Sequence, residues 1–416
     1  MRFKIIALNF PIYFSKKIAF SKDNKNNLSK VIIFIGRLSV ALGIIVSLIT
    51  VATGLGSKHA IKNRLADFGG AIQIKSQKSN ASYNSSIISQ EGFNVEAVKQ
   101  LPEVAAMQKY VTVSGIMRTE SNFAGIIFKG VGADFDYHRF QKFIVSGEVP
   151  QIKENSYDAN VLVSQKIARD LHKKVGDSVV TIFSKEDQKP IYRKFRIAGI
   201  YKTDIKMIDD LFIIGGIAHA RKIQGFDKDA VGGYDVFLAN NAKVDEVYPK
   251  IDQLIGIKNY AEKMTDKYPQ IVDWINIFDT NIALIITIML VVVVINIVMV
   301  LLILIIERTN SIGMLKTLGA NNAQIRAIFI NYTLIIMVPG LLIGNAIGLG
   351  LLLVQKYTGV IRLNPENYYV SEVPVELNIF YILGLSLGIL AISAAALIFP
   401  SYLISKISPV KSIKYR

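Results

Sequence analysis

The chain has no cysteine among its 416 residues. Disulfides, thiolate metal sites and cysteine nucleophiles are therefore excluded. Histidine is scarce. The four present, His59, His138, His172 and His219, show no ligand spacing of the H-E-x-x-H kind. No G-x-x-x-x-G-K-[ST] phosphate loop occurs. Residues 53–60, TGLGSKHA, hold glycines and a lysine in the wrong order, with no preceding strand. Ser146 in FIVSGEVP lacks the flanking glycines of a nucleophile elbow. The adjacent acids Asp209 and Asp210 read as solvated turn residues. No catalytic site emerges, so this chain is expected to be non-catalytic, with any energy input supplied by another chain.

Charge is also missing, but only locally. The sequence is 51% hydrophobic, with a mean hydropathy of +0.37, yet 19% of its residues are charged. Uncharged apolar runs occupy residues 38–56, 282–306, 327–355 and 379–404. Each reaches the ~20 residues that a helix needs to cross about 30 Å of hydrocarbon. Four membrane spans are expected. The first begins too late for a signal peptide and is read as uncleaved. Spans two to four have no ionisable interior residue, which argues against an ion channel or ion-coupled carrier. Asn296 is the mid-membrane amide of span two and is expected to bond between helices.

The net charge of +16 does not point to nucleic acid, because of where it lies. Arg2, Lys4, Lys16, Lys17, Lys22, Lys25 and Lys30 crowd the N-terminal arm, and Lys406, Lys411, Lys414 and Arg416 the tail. Basic flanks beside spans are the positive-inside signature and suit anionic membrane lipid. Both termini are expected in the cytoplasm and the large segment after span one outside it. The expected order is a basic arm (1–31), span one (32–56), an extracytoplasmic α+β domain with stalk helices (57–280), span two (281–306), a cytoplasmic loop (307–326), span three (327–355), an outer loop (356–377), span four (378–404) and a cytoplasmic tail (405–416).

The outer segment alternates β-rich pieces with turns: AIQIK, YVTVS, FAGIIFKGV, NVLVS, SVVTIF, YRKFRIAGIY, LFIIGG and YDVFLA. Helical spacing marks SQKIARDLHKK, GIAHARKIQ and KVDEVYPKIDQLIG. It also marks the flanks SKHAIKNRLADF and KNYAEKMTDKYPQIVDWINIFD, which read as outward continuations of spans one and two. The fold expected is a mixed α+β domain, in two possible subdomains, inserted between helices of a four-span membrane protein. Gly340, Gly344 and Gly348 in span three give two overlapping GxxxG steps, which let helices pack closely in lipid.

Between spans two and three lies IIERTNSIGMLKTLGANNAQIRAIF. Ile312, Leu315 and Leu318 recur at i, i+3 and i+6, which suggests an amphipathic helix. Gly319 should stop it, and Asn321 with Gln324 three residues on has capping-box spacing. Such a helix suits a membrane surface or a groove in a partner protein.

This stretch resembles the signature of FtsX-like ABC-transporter permeases, E-R-x-x-x-I-G-x-L-[KR]-[AT]-x-G-A-x-x-x-x-I. The ending FPSYLISKISPVKSIKYR is similar to that family's closing motif. FRIAGIYKTDIKMIDDLFII, INIVMVLLILIIER and YYVSEVPVELN look like lipoprotein-releasing members of the LolC/LolE type, with a MacB-like periplasmic core. The resemblance implies a permease subunit of the bacterial inner membrane. It implies paired permeases, as a homo- or heterodimer, driven by a separate ABC ATPase that carries ATP and Mg, with no cofactor in this chain. Residues 311–318 would be the coupling helix. Glu307 and Arg308 would stand at the membrane exit, and Ile312 and Leu315 would fill the ATPase groove. Gly313, Lys316, Gly319 and Ala320 belong to the same motif. ATPase closure would be transmitted mechanically to the outer domain, expelling a lipoprotein from a membrane cavity toward a periplasmic carrier. Ile44, Leu48, Ile285, Val292 and Asn296 are candidates to line that cavity. Two other functions fit the superfamily: a MacB-like exporter of peptides or small molecules, and an FtsX-type regulator of a cell-wall hydrolase. A membrane-bound sensor is the reading outside transport.

Overall fold

The computed structural model describes residues 11–13, 15, 27–79, 83–154, 156–184 and 189–402. The tail expected at 405–416, most of the arm at 1–31 and the end of the closing motif lie outside the described residues. The chain divides into two units. One comprises Met1–Ser57, Ile277–Ile361 and Val373–Arg416; the other comprises Lys58–Asn276 and Arg362–Glu372.

The first unit is helical. Its elements are α1 (Asn27–Gly69), α2 (Pro269–Glu307), α3 (Thr309–Thr317), α4 (Asn322–Thr358) and α5 (Ile379–Ala396). Helices α1, α2, α4 and α5 are each long and apolar enough to cross a membrane. At 43 and 39 residues, α1 and α2 exceed a span and continue without a break into the second unit. Helix α5 ends earlier than the run 379–404 suggests, with a turn at Leu397 before a short helix at Ile398–Ser401. Pro400 explains this, because a proline has no N–H for the carbonyl four residues back and its ring clashes with it.

Glycine lets the bundle close. A Cβ on Gly340 would stand 2.6 Å from the Arg37 carbonyl oxygen, and one on Gly344 would stand 2.7 Å from that of Ala41. Thus α4 lies directly on the α1 backbone, as the GxxxG spacing suggests. On its other side, α1 presents Gly36 and Gly43 to Val300 and Val293 of α2. Val40, Ile44, Leu48, Ile297, Leu301 and Ile336 are buried in the resulting core.

The second unit is a ten-stranded sheet: β1 (Ile72–Ser76), β2 (Val104–Arg118), β3 (Phe123–Val131), β4 (Ile144–Gly147), β5 (Asn160–Ser164), β6 (Ser178–Phe183), β7 (Ile191–Tyr201), β8 (Phe212–Gly216), β9 (Gly233–Leu238) and β10 (Asn259–Lys263). Pairings β2–β3, β3–β8, β8–β5, β5–β7, β7–β6 and β6–β2 close a six-stranded ring. Phe128, Phe183 and Phe195 fill its core. The first half of β2 leaves this ring to pair with β9, which continues to β1 and β10. There a second core forms around Ile72, Val236, Val247 and Ile251. The 15-residue β2 therefore joins two subdomains.

Every β-rich piece read from the sequence is a strand. Two strands were not foreseen, β4 and β10. Residues 259–263 have helical spacing in sequence yet pair antiparallel with β1, burying Asn259 and Ala261 with a period of two. A short helix follows at Met264–Lys267, and the long helix begins at Pro269, a residue suited to a first turn.

Candidate functional site

Helix α3 is built as a rigid bracket. Only Arg308 separates it from α2, and the ladder barely breaks there: Arg308 N–H donates to Leu304 O at 3.0 Å, and Ile312 N–H donates to Arg308 O at 2.9 Å. The other end closes as a Schellman motif. Ala320 N–H donates to Leu315 O at 3.0 Å and Gly319 N–H to Lys316 O at 3.1 Å. That closure needs a left-handed residue, and Gly319 has φ +92°. Asn321 then caps α4. Gln324 N–H donates to Asn321 Oδ1 at 2.8 Å, and Asn321 N–H donates to Gln324 Oε1 at 3.0 Å. The L-G-A-N run is thus a stop and a start, each fixed by its own hydrogen bonds.

The faces of α3 differ from those expected. Ile312 is 1% exposed and packs into the bundle core, with Leu315 and Ala320 against it. Gly313 is buried too. Met314 is 64% and Leu318 79% exposed. The spacing i, i+3, i+6 misleads here: at about 100° per residue, Leu318 lies about 120° around the helix from Ile312. Met314, Leu318 and Ser311 share the outward face. Glu307 is exposed, Arg308 and Lys316 half-buried. An α3 that enters a groove does so with Met314 and Leu318, while Ile312 and Leu315 hold it to the spans.

The cavity candidates separate as well. Ile44 and Leu48 are buried inside this chain's own bundle, so they do not face a space outside it. Ile285 is half-buried and Val292 43% exposed on α2. Asn296 is a correction: its amide donates to Val292 O of its own helix at 3.0 Å. The amide that bonds between helices is Asn345, whose Nδ2 donates to Ser386 Oγ of α5 at 3.0 Å. A polar pair facing each other from spans three and four was the signal that could have found it.

Within the second unit, the end of α1 is fastened to the turn after β7. Arg64 donates to Thr203 O at 3.0 Å and pairs with Asp204, whose φ is +64°. Asp209 is also a correction. It is buried, not solvated: it accepts from Thr203 N–H (3.0 Å), Thr203 Oγ1 (2.8 Å) and Asp204 N–H (3.1 Å). Burial raises its pKa against those bonds. At Asp204, burial also pushes upward but Lys202 and Arg64 outweigh it, so its carboxyl sits below the usual range. Asp67 of α1 holds Lys142 and Arg139, and Phe68 packs on Phe140, Tyr201 and Phe212. Trp274 of α2 meets the edges of Tyr368 and Tyr369 at 5.8 Å each. Among the described residues, no group of three His, Asp or Glu side chains is placed to hold a metal.

Residues 37–254 match the MacB-like periplasmic core domain family, and residues 283–409 match the FtsX-like permease C-terminal family. The chain belongs to the MacB-like and FtsX-like family of ABC transporter permeases. Permeases of this family are multi-pass membrane proteins that work with ATPase and permease partners. The chain is 23% identical to the lipoprotein-releasing system transmembrane protein LolE of Haemophilus influenzae, over 97% of this chain and 99% of that one. It is 20% identical to the LolC protein of Xylella fastidiosa, strain Temecula1, over 91% and 92%. Among solved structures, the periplasmic region of MacB from Actinobacillus actinomycetemcomitans covers 49% of this chain and 92% of its own, at 15% identity and a TM-score of 0.33.

Proposed function

We propose that this chain is a permease subunit that converts ATP hydrolysis on a partner ATPase into release of lipoproteins from the inner membrane. The observation that carries the reading is α3. It shows two large apolar side chains outward while its other face and both ends are fixed to the spans. A groove that grips Met314 and Leu318 moves α2 and α4 with it. Helices α1 and α2, each unbroken past the span, carry the motion outward, and Arg64, Asp67 and Phe68 anchor α1 in the outer domain. In this scheme both termini are cytoplasmic, the sheet domain is periplasmic, and ATP and Mg reside on the partner. Two permease subunits face each other, and acyl chains occupy the space that Ile285 and Val292 border. The lipoprotein passes to a periplasmic carrier.

Near-full-length similarity to LolE and LolC proteins favours lipoprotein as the cargo. The match to the MacB-like core keeps a second reading, export of a periplasmic peptide or small molecule. Purification from native membranes in mild detergent, with mass spectrometry of bound protein and lipid, separates them. An ABC ATPase with acylated lipoproteins is the expected result. An ATPase with an outer-membrane channel and no lipoprotein would favour the exporter. No ATPase would overturn both.

A further inference from the structure

The sheet domain contains a cleft of about 410 Å³, within the range of small-ligand sites. Three lysines line it, Lys75, Lys129 and Lys267, and no arginine does. Two lysines are matched: Lys129 pairs with Asp235 at 2.5 Å and Lys75 with Glu262 at 2.5 Å. Lys267 is not. Among the described residues no carboxylate pairs with it; its Nζ donates to the neutral Gln73 Oε1 at 3.0 Å and lies 5.6 Å from the centre of the Tyr268 ring. An ammonium has three donors, so two remain for a ligand. Burial, with Lys75 and Lys129 nearby, pushes the Lys267 pKa down to about 7 despite Asp235 and Glu262. One negative charge in the cleft would relieve that repulsion.

Lysine is a point charge that suits a tetrahedral anion with oxygens in several directions, whereas a planar carboxylate suits the arginine fork. Besides the lysines and Glu262, the lining combines tyrosine rings such as Tyr83 and Tyr260, the polar groups Ser79, Asn84 and Thr112, and the apolar Phe68, Phe212 and Met264. That wall fits a small hydroxylated body. We propose that this cleft binds a phosphate ester of a small polyol, carried as a lipid headgroup or free in solution. Nothing in this site depends on which cargo the permease moves.

The test uses the full chain and reads reductive methylation of Lys267 by mass spectrometry, with exposed Lys99 as internal control. In detergent at fixed ionic strength, glycerophosphoglycerol should slow labelling of Lys267 roughly fivefold and leave Lys99 unchanged. Slowing seen only in nanodiscs of phosphatidylglycerol, and not of phosphatidylcholine, would place the ester on a lipid headgroup. Lys75→Gln should raise the ligand concentration needed for half of that protection about tenfold. Absence of slowing in either setting, or equal slowing by glutarate, would overturn the proposal. Because protection is read on the unaltered protein, the result does not depend on the variant folding.

Discussion

The helical unit and the sheet unit are held together by different forces. In the helical unit, backbones touch through glycine, and Asn345 bonds to Ser386 between α4 and α5. In the sheet unit, a buried ion pair, Lys129–Asp235, sits at 5% and 3% exposure, and Asp209 organises a turn. Lipid tails are as apolar as leucine, so burial gives spans little reason to associate, and close packing does the work. In water the sheet domain gains from apolar burial and can keep buried charges where each is matched.

The contrast is broken most severely at the ion pair. Lys129→Met leaves Asp235 buried and uncompensated and should destabilise the sheet domain by about 3–5 kcal/mol. Adding Asp235→Leu should restore most of that loss. Urea unfolding followed by circular dichroism measures both, and a double variant as unstable as the single one would show that the pair is not the cause.

In the bundle, Gly344→Leu should cost about 1–3 kcal/mol by forcing α4 off the Ala41 backbone. A melting temperature in detergent equal to that of the unaltered chain would refute the close packing. The finest distinction is between two amides. Asn345→Val should cost about 1 kcal/mol, because it removes a bond between helices, and Asn296→Val less than about half that. Equal losses in the same melting assay would erase the difference between them.

Much of this was legible in the sequence because it rests on strong local signals. Uncharged runs marked the spans, and glycine at four-residue spacing marked span three as a close-packing helix without naming α1 as its partner. Gly319, Asn321 and Gln324 marked the end of α3 and the start of α4, since a left-handed stop and a capping box have few substitutes. What was missed depended on tertiary partners. The burial of Ile312 is decided by what packs above α3. Asn296 and Asn345 are the same residue type in similar runs, and only the neighbouring helix distinguishes them. Asp209 looked like surface because its partners, Thr203 and Asp204, are brought to it by the turn after β7. The lysine cleft draws its residues from six separate stretches of chain and has no local pattern at all.

The central claim is that α3 receives force through its outward face. The most direct measurement is co-purification of the ABC ATPase with Leu318→Asp, beside Ile312→Ala as a comparison. Leu318 is largely exposed, so its variant should keep the melting temperature of the unaltered chain and lose the ATPase. Ile312→Ala should melt earlier, by about 2 kcal/mol or more of lost core packing. If the Leu318→Asp chain retains the ATPase at the normal ratio, α3 is not the docking element and the mechanism proposed here is wrong.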